Sequence, residues 1–285
     1  MTTVKRTHGW NMREYDREKW TEILDLVHAE RARLGPSATL PRVLACVERA
    51  GLASTPLARA DLFARVPSLI AGVPVETVPA VAQGAHRGLV AETVVRVCAP
   101  DVELVVELGS GWSRQLLSVW NAGGPAAALY VGAELTPTGR ACADALAALD
   151  PALCFRSLDF DFTAPDLSSL RRVRSAVVFT VHGVQNAPDT PVRLLDEIIA
   201  LADRVTCVHF EPVGWQLGSE AGSSIDYALQ HDYNRDLVAT LRAGERDGRL
   251  RIEQVVLDAV GLNPRDATSV VAWRSTSAGE RRAAA

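Results

Sequence analysis

The chain has 285 residues, of which 48% are hydrophobic and 22% charged, and its net charge is −4. This composition is typical of a soluble globular protein with one large domain or a domain plus an appendage, and the acidic balance argues against a nucleic-acid partner. No run of about 18 uncharged apolar residues occurs and the N-terminus lacks the apolar core of a signal peptide, so we expect a cytoplasmic protein with no membrane partner.

Residues 1–100 carry helical patterns and are predicted to form a helical appendage that is placed to act as a lid. In the first helix the apolar positions Trp20, Ile23, Leu24 and Val27 fall on one stripe. The predicted helices are Trp10–Arg33, Leu40–Glu48, Pro56–Arg65 and Gly88–Cys98, and Val73–Gln83 is expected to be extended because prolines interrupt it.

From residue 101 onward, strand and helix patterns alternate, which predicts an α/β fold with a doubly wound, mostly parallel sheet. The domain is expected to span residues 101–276, and residues 277–285 read as a disordered tail. The predicted strands are Val102–Leu108, Ala128–Glu134, Cys154–Leu158, Ser175–Val181, Val205–Phe210, Arg251–Asp258 and Ser269–Ser275, the last two forming an antiparallel hairpin at the sheet edge. The predicted helices are Ser113–Trp120, Pro137–Leu149, Leu167–Val173, Val192–Ala202 and about Ile225–Ala243.

The cysteine and lysine contents of the sequence are informative. The five cysteines lie singly in apolar segments, their number is odd, and no C-x-x-C pair occurs, so we expect small buried hydrophobes in a reducing compartment, without disulfides or a metal site. They are Cys46, Cys98, Cys142, Cys154 and Cys207. Among 30 basic residues only Lys5 and Lys19 are lysines, which, with the abundant alanine, indicates a GC-rich bacterial genome.

A glycine-rich turn joins the first predicted strand of the domain to a helix. Glu107 ends the apolar run, and Gly109, Ser110 and Gly111 follow it. Glycine can adopt positive φ and lets a ligand approach the backbone closely. The carboxyl ends of the strands in an open α/β sheet face the crevice that binds ligands, so Glu107 is a candidate site residue. This turn alone is a weak signal, because several nucleotide classes use one.

Two further acids end the next two predicted strands. Glu134 ends the second, where a carboxylate can accept hydrogen bonds from ribose hydroxyls. Asp159 and Phe160 end the third, where a carboxylate and an aromatic ring suit the amine and the face of an adenine. The acids therefore recur at the carboxyl ends of three successive strands.

With these motifs in place, residues 102–211 resemble a class I S-adenosylmethionine-dependent methyltransferase. The resemblance implies that the glycine turn lies under the methionine part of the cofactor, that Glu134 binds ribose, and that Asp159 with Phe160 meets adenine. It implies a Rossmann-like sheet of seven strands, the closing strand–turn–strand containing the reversed seventh. Ser113 stands where the family often has a third glycine.

A dinucleotide site is the principal alternative for this turn. Such a site prefers a small residue three positions after the second glycine, and Arg114 occupies that position. A bulky arginine is awkward where a helix packs close to a pyrophosphate. This favours the methyltransferase over an NAD(P)-dependent oxidoreductase, while a fold without any cofactor also stays open.

The fourth strand ends in His182, followed by Gln185 and Asn186, at the edge that faces the methyl group and its acceptor. Methyl transfer depends mainly on positioning, and a base assists when the acceptor is a hydroxyl or a protonated amine. We take these three as candidate catalytic residues. The alternative for His182 is a purely structural role in closing the strand. His86-Arg87 could reach the cofactor carboxylate or lie in a surface turn.

The fifth strand ends in Glu211, and a glycine- and serine-rich loop follows Trp215. On the next predicted helix, Tyr227, His231 and Asn234 share one face. Glu211, Trp215, His231 and Asn234 are therefore the candidate acceptor contacts, against a solvated polar face as the alternative. His209 is expected to be a satisfied core histidine.

The expected function is transfer of a methyl group from S-adenosylmethionine to an oxygen or nitrogen of a small-molecule acceptor, in natural-product metabolism. A cationic amine and a hydroxyl are equally compatible as acceptors. A peptide or protein acceptor, a homodimer, and a non-catalytic interaction module remain open alternatives.

Overall fold

The computed structural model describes residues 19–54, 64–219 and 222–276. The helices are α1 (Thr21–Leu34), α2 (Leu40–Ser54), α3 (Pro79–Val97), α4 (Arg114–Asn121), α5 (Pro137–Ala147), α6 (Val192–Ala200), α7 (Ile225–Gln230) and α8 (Leu237–Arg246). The strands are β1 (Val66–Ile70), β2 (Val73–Thr77), β3 (Leu104–Leu108), β4 (Leu129–Glu134), β5 (Phe155–Asp159), β6 (Val173–Val181), β7 (Ala202–Glu211), β8 (Leu250–Gly261) and β9 (Thr268–Ser275).

All described strands form one sheet in the order β2-β1-β8-β9-β7-β6-β3-β4-β5. Strands β3 to β7 pair in parallel, and β9 runs antiparallel to both β7 and β8. The chain winds outward from β3 in both directions, so the predicted doubly wound, mostly parallel sheet is confirmed. The switch of direction lies between β3 and β6, where such sheets bind ligands.

The sheet has nine strands rather than the predicted seven, because β1 and β2 form a hairpin that pairs with β8 at Leu69 and Ile70. Ala71 and Gly72 both have positive φ, as a tight two-residue hairpin turn requires. Pro67 and Pro74 lie in this hairpin, and the sequence pattern predicted only the extended conformation from Val73 onward, without the pairing. The boundary drawn at residue 100 therefore cuts across one continuous sheet.

Helices cover both faces of the sheet, and alternate strand residues point to opposite faces. In β3, Leu104, Val106 and Leu108 belong to the hydrophobic cluster under α6 and α8. Val105 belongs to the cluster under α1 to α5. All five residues of β3 are buried, as expected of a central parallel strand.

Three predicted elements were wrong in detail. Residues 167–173 form no helix, because the Asp166 side chain accepts a hydrogen bond from the backbone N–H of Ser168 and holds a local turn. The helix predicted over 225–243 is divided into α7 and α8 by the segment around Asn234. The closing hairpin does not form the sheet edge, since β9 is inserted between β7 and β8 and the β1–β2 hairpin lies beyond β8.

Some predictions fall partly or wholly outside the described residues: the start of the helix Trp10–Arg33, nearly all of the helix Pro56–Arg65, and the tail 277–285. Of Val73–Gln83 only the first part is extended, because α3 already begins at Pro79. All five cysteines are free thiols, but only Cys142 and Cys207 are buried as predicted, since Cys46 and Cys98 are half-buried and Cys154 is exposed. Within the described ranges, none of the helices is both long and apolar enough to cross a bilayer.

Candidate functional site

The glycine turn lies at the carboxyl end of β3 and contains three residues in left-handed conformations. Gly109, Gly111 and Ser113 have φ values of 69°, 55° and 57°. The backbone N–H groups of Gly109 and Ser110 both donate to the carbonyl of Ala133 in β4. The Ser110 and Ser113 hydroxyls lie 3.1 Å apart and are buried. The turn is thus held rigidly over the ends of β3 and β4.

Glu107 lies behind this turn rather than over it. Its Oε2 accepts a hydrogen bond of 2.9 Å from the backbone N–H of Leu116 in α4, and its side chain is buried. Burial raises the pKa of Glu107 to about 8, and the Glu134 charge raises it further, against the N–H of Leu116 and the Arg114 charge, which lower it. The group therefore keeps its proton to a higher pH than an ordinary carboxyl, and it braces the junction of strand and helix.

Glu134 connects the glycine turn to the end of β4. Its Oε2 accepts from the backbone N–H of Gly111 at 2.8 Å. Its Oε1 accepts from both the backbone N–H and the hydroxyl of Thr136, at 2.9 and 2.6 Å. Since each carboxylate oxygen has two lone pairs, Oε2 keeps one for a further donor.

Asp159 lies next to Glu134, because the two residues are directly paired across β4 and β5. The Asp159 side chain is 73% exposed and forms an ion pair of 2.9 Å with Arg140. The same guanidinium donates to the backbone carbonyls of Glu134 and Leu135, so it fixes both strand ends.

Phe160 is buried in the core, where it packs edge to face against Phe162 with ring centroids 5.0 Å apart. Its predicted contact with adenine remains a prediction. Phe162, two residues after Phe160, was not predicted from the sequence to take part in the site. Its ring lies against Gly109 and Gly183, so close that a Cβ on Gly109 would meet Phe162 Cε2 at 2.7 Å.

His182 follows β6 and has a φ of 51°, a strained value for a histidine. Its Nε2 lies 2.7 Å from the hydroxyl of Thr268 in β9, and its carbonyl accepts from the side chain of Asn186. Burial lowers the pKa of His182 to about 4, and the Arg114 charge lowers it further, whereas the neighbouring Gln185 side chain opposes the shift. His182 is therefore neutral at pH 7. The structure brings the three predicted catalytic residues together on one short turn.

His86 and Arg114 lie near His182, and the sequence did not predict that these three residues form one cluster. The rings of His86, in α3, and His182 meet edge to face with centroids 5.6 Å apart. Arg114, the first residue of α4, is half-buried, and its charge lowers the pKa of both histidines after burial has done so. His86 and Arg87 lie within α3 rather than in a surface turn, and Arg87 forms an ion pair with Glu48.

Glu211 is not placed to contact an acceptor, because it is fully buried and its carboxylate is already bound. It accepts hydrogen bonds from the backbone N–H groups of Gly183, Val184 and Gln185 at 3.0, 3.1 and 3.2 Å. Burial raises its pKa to about 7 against these donors. Glu211 thus holds the turn that carries His182, and we correct its predicted role accordingly.

Asn234 is likewise a structural residue. Its amide nitrogen donates to the Ala187 carbonyl and the Thr190 hydroxyl, and its Oδ1 accepts from the backbone N–H groups of Asp236 and Leu237. These bonds begin α8 and explain why the predicted long helix is divided. With its polar atoms used in this way and its side chain buried, Asn234 is not retained as an acceptor contact.

His231 and Trp215 lie on other elements than the turn that carries His182. His231 is exposed at the end of α7, where its ring stacks on Tyr227 with centroids 4.0 Å apart. Trp215 is half-buried in a single 3-10 turn after β7, where its backbone N–H donates to Ser223. Their contact with an acceptor remains a prediction. His209, by contrast, is confirmed as a satisfied core histidine, bonded to Thr180 and Trp273.

The segment before α1 reaches the glycine turn. Ring atoms of Trp20 lie 3.0 and 3.2 Å from the position that a Cβ on Gly111 would take. The backbone carbonyl of Trp20 accepts from the thiol of Cys142 in α5, which fixes this contact. The N-terminal helices thus cover part of the site, and their action as a lid remains a prediction.

No family model and no curated protein matches the sequence. Among solved structures, the chain is similar to a magnesium protoporphyrin IX methyltransferase from Synechocystis PCC 6803, with 14% identity over 69% of this chain and 84% of that one and a TM-score of 0.46. A methyltransferase from Aquifex aeolicus gives 12% identity, 70% and 98% coverage and a TM-score of 0.46. For the mitomycin 7-O-methyltransferase the values are 13%, 96%, 73% and 0.44.

Likenesses this distant say nothing about substrate or chemistry. The class I methyltransferase fold that the sequence predicts is confirmed by the strand order itself, with its reversed strand β9 between β7 and β8. The β1–β2 hairpin is an addition to that fold.

Proposed function

We propose that this chain is an S-adenosylmethionine-dependent methyltransferase that acts on an oxygen or nitrogen of a small-molecule acceptor. The observation that carries the proposal is the pairing of Glu134 with Asp159 beside the glycine turn, at the carboxyl ends of β4 and β5. We also propose that the acceptor belongs to natural-product metabolism.

The residues at the turn fit this cofactor better than a dinucleotide. A pyrophosphate needs free backbone N–H groups, yet the Gly111 N–H already donates to the Glu134 carboxylate. A carboxylate this close to the turn repels a phosphate, whereas it attracts a cation. When bound, S-adenosylmethionine supplies a methyl group on a positively charged sulfur.

Each residue has a separate task in this proposal. The remaining lone pair of Glu134 Oε2 accepts from a ribose hydroxyl, and Asp159, open to solvent, accepts from the adenine amine. The left-handed turn lets the methionine part approach the backbone. His182 orients the acceptor rather than removing its proton, because a group whose pKa is about 4 is a weak base at neutral pH.

Calorimetric titration with S-adenosylhomocysteine tests the proposal. Asp159→Asn should weaken binding about three- to tenfold, and Glu134→Gln about tenfold or more, because an amide in place of the acid loses charge-assisted hydrogen bonds. Asp196→Asn is the matched control: Asp196 is 63% exposed and also pairs with one arginine, Arg249, which precedes β8 and is separated from β4 by β9, β7, β6 and β3.

The proposal fails if the wild-type chain does not bind S-adenosylhomocysteine. It also fails if Asp159→Asn and Asp196→Asn have the same effect. Enhanced fluorescence of added NADH, in place of S-adenosylhomocysteine binding, would instead indicate the oxidoreductase. Circular dichroism of each variant verifies that the fold is retained.

A further inference from the structure

Arg114 is a cation without a partner inside a partly buried cluster. Among the described residues, its guanidinium takes part in no hydrogen bond or ion pair, although it is half-buried at the start of α4. Desolvation therefore lowers its pKa, and the nearby Glu48 and Glu107 oppose that change. An arginine is costly to desolvate in this way unless an anion pairs with it.

The two nearby acids do not neutralise this charge. Glu48 pairs through Oε2 with Arg87, whose positive charge also acts on Arg114, and its buried Oε1 makes no hydrogen bond with Arg114. Glu107 is buried, its Oε2 accepts from the backbone N–H of Leu116, and burial raises its pKa, which makes it a weaker counter-charge than an ordinary carboxylate. Neither acid therefore forms a hydrogen-bonded ion pair with Arg114.

His86 supplies a second, independent observation in this cluster. The Nε2 atom of His86 is buried and has no hydrogen-bond partner in the described structure. A buried polar atom without a partner loses free energy relative to one that is hydrogen-bonded. It lies in a ring that meets His182 edge to face, and the Arg114 charge is close enough to lower the pKa of both histidines.

This cluster lies on the acceptor side of the glycine turn. Glu134 and Asp159 are on β4 and β5, to one side of β3, whereas His182 and its partner Thr268 are on the β6 side. The groups assigned to ribose and adenine are thus separated by β3 from the groups around Arg114.

We propose that Arg114, together with His86, binds a carboxylate of the acceptor, so that the methyl acceptor is a small carboxylic acid. A planar guanidinium matches a carboxylate with two parallel hydrogen bonds, and a neutral imidazole can donate a third. That the bound acid is the methyl acceptor rests on the proposed function, whereas the anion site itself does not.

The test follows the imidazole resonances of His86 and His182 by NMR, in protein saturated with S-adenosylhomocysteine, during titration with sodium benzoate to about 10 mM. Assignments come from His86→Gln and His182→Asn. Benzoate should shift both resonances, and its neutral isostere benzamide should not. Arg114→Gln should weaken benzoate binding about tenfold or more, Arg114→Lys less, and Arg249→Gln, which lies before β8 and away from the glycine turn, not at all.

Four results would overturn the proposal: no shift with benzoate, an equal shift with benzamide, a shift with phosphate in place of benzoate, or unchanged benzoate affinity in Arg114→Gln. If Arg114→Gln instead abolishes S-adenosylhomocysteine binding, the guanidinium serves the cofactor and the inference is equally wrong. Benzoate binding by a chain that does not bind S-adenosylhomocysteine would refute the proposed function and leave the anion site.

Urea unfolding distinguishes a loss of benzoate binding in Arg114→Gln from a folding defect. Because the charge at Arg114 is unpaired and partly desolvated, Arg114→Gln should leave the midpoint of urea unfolding unchanged or raise it. A large fall in the midpoint would mean that Arg114 is a structural residue, and the inference would be withdrawn.

Discussion

The contact between Gly109 and Phe162 makes a quantitative prediction about the glycine turn. Gly109→Ala places a Cβ on a residue with a φ of 69° and 2.7 Å from Phe162 Cε2. The left-handed conformation alone costs about 1 kcal/mol for alanine, and overpacking against a buried ring adds about 1–3 kcal/mol. We expect the free energy of unfolding to fall by about 2–4 kcal/mol in total.

Gly248→Ala separates the two contributions. Gly248 has nearly the same φ, 66°, but a Cβ there would meet nothing within 4 Å, so only the conformational cost of about 1 kcal/mol applies. Urea unfolding of both variants, and of each Gly109 form in a Phe162→Leu background, completes a double-mutant cycle. Most of the excess cost at Gly109 should disappear when the ring is gone. Equal costs at Gly109 and Gly248, or an excess that survives Phe162→Leu, would refute the steric argument.

The other predictions concern buried polar groups outside the turn. Burial lowers the pKa of His209 to about 4, whereas an unfolded histidine titrates near 6.5, so the unfolded chain binds the extra proton as pH falls. His209→Gln should therefore lose about 1–2 kcal/mol less unfolding free energy than the wild type between pH 7 and pH 5, as measured by urea titration. A parallel loss in both proteins would contradict this. Asn234→Ala should lower the free energy of unfolding by about 2–4 kcal/mol, since the bonds that begin α8 are lost. It should leave S-adenosylhomocysteine affinity unchanged in calorimetry, and weakened binding would return Asn234 to the site.

The sequence revealed features that depend on local spacing. A strand that is buried on both faces reads as a continuous apolar run, so β3, β4, β6 and β7 could be placed within a few residues. The acids at the carboxyl ends of β3, β4 and β5, namely Glu107, Glu134 and Asp159, were placed equally well. That these acids lie close together followed from the rule that the carboxyl ends of parallel strands meet at one edge of the sheet.

Tertiary placement could not be predicted in the same way. Glu211 resembles a binding residue in the sequence, because nothing local reveals that N–H groups of residues 183–185 occupy its oxygens. For Asn234 the bonds to the N–H groups of Asp236 and Leu237 are local, but the contacts of its amide nitrogen with Ala187 and Thr190 are not. His86 and Arg114 are 28 positions apart and meet only because α3 packs beside α4. The extended conformation of the segment from Val73 was predicted, but its pairing with β1, and that of β1 with β8, depends on contacts that local spacing does not reveal.

That hairpin has a consequence for how the chain is made. Leu69 pairs with Gly261, and at synthesis rates of about 5–20 residues per second the ribosome needs roughly 10–40 s to reach the partner strand. During that interval β1 and β2 present open edges to other nascent chains. Pro67 and Pro74 lack the N–H groups that would pair with a foreign strand, so they protect the hairpin until β8 emerges.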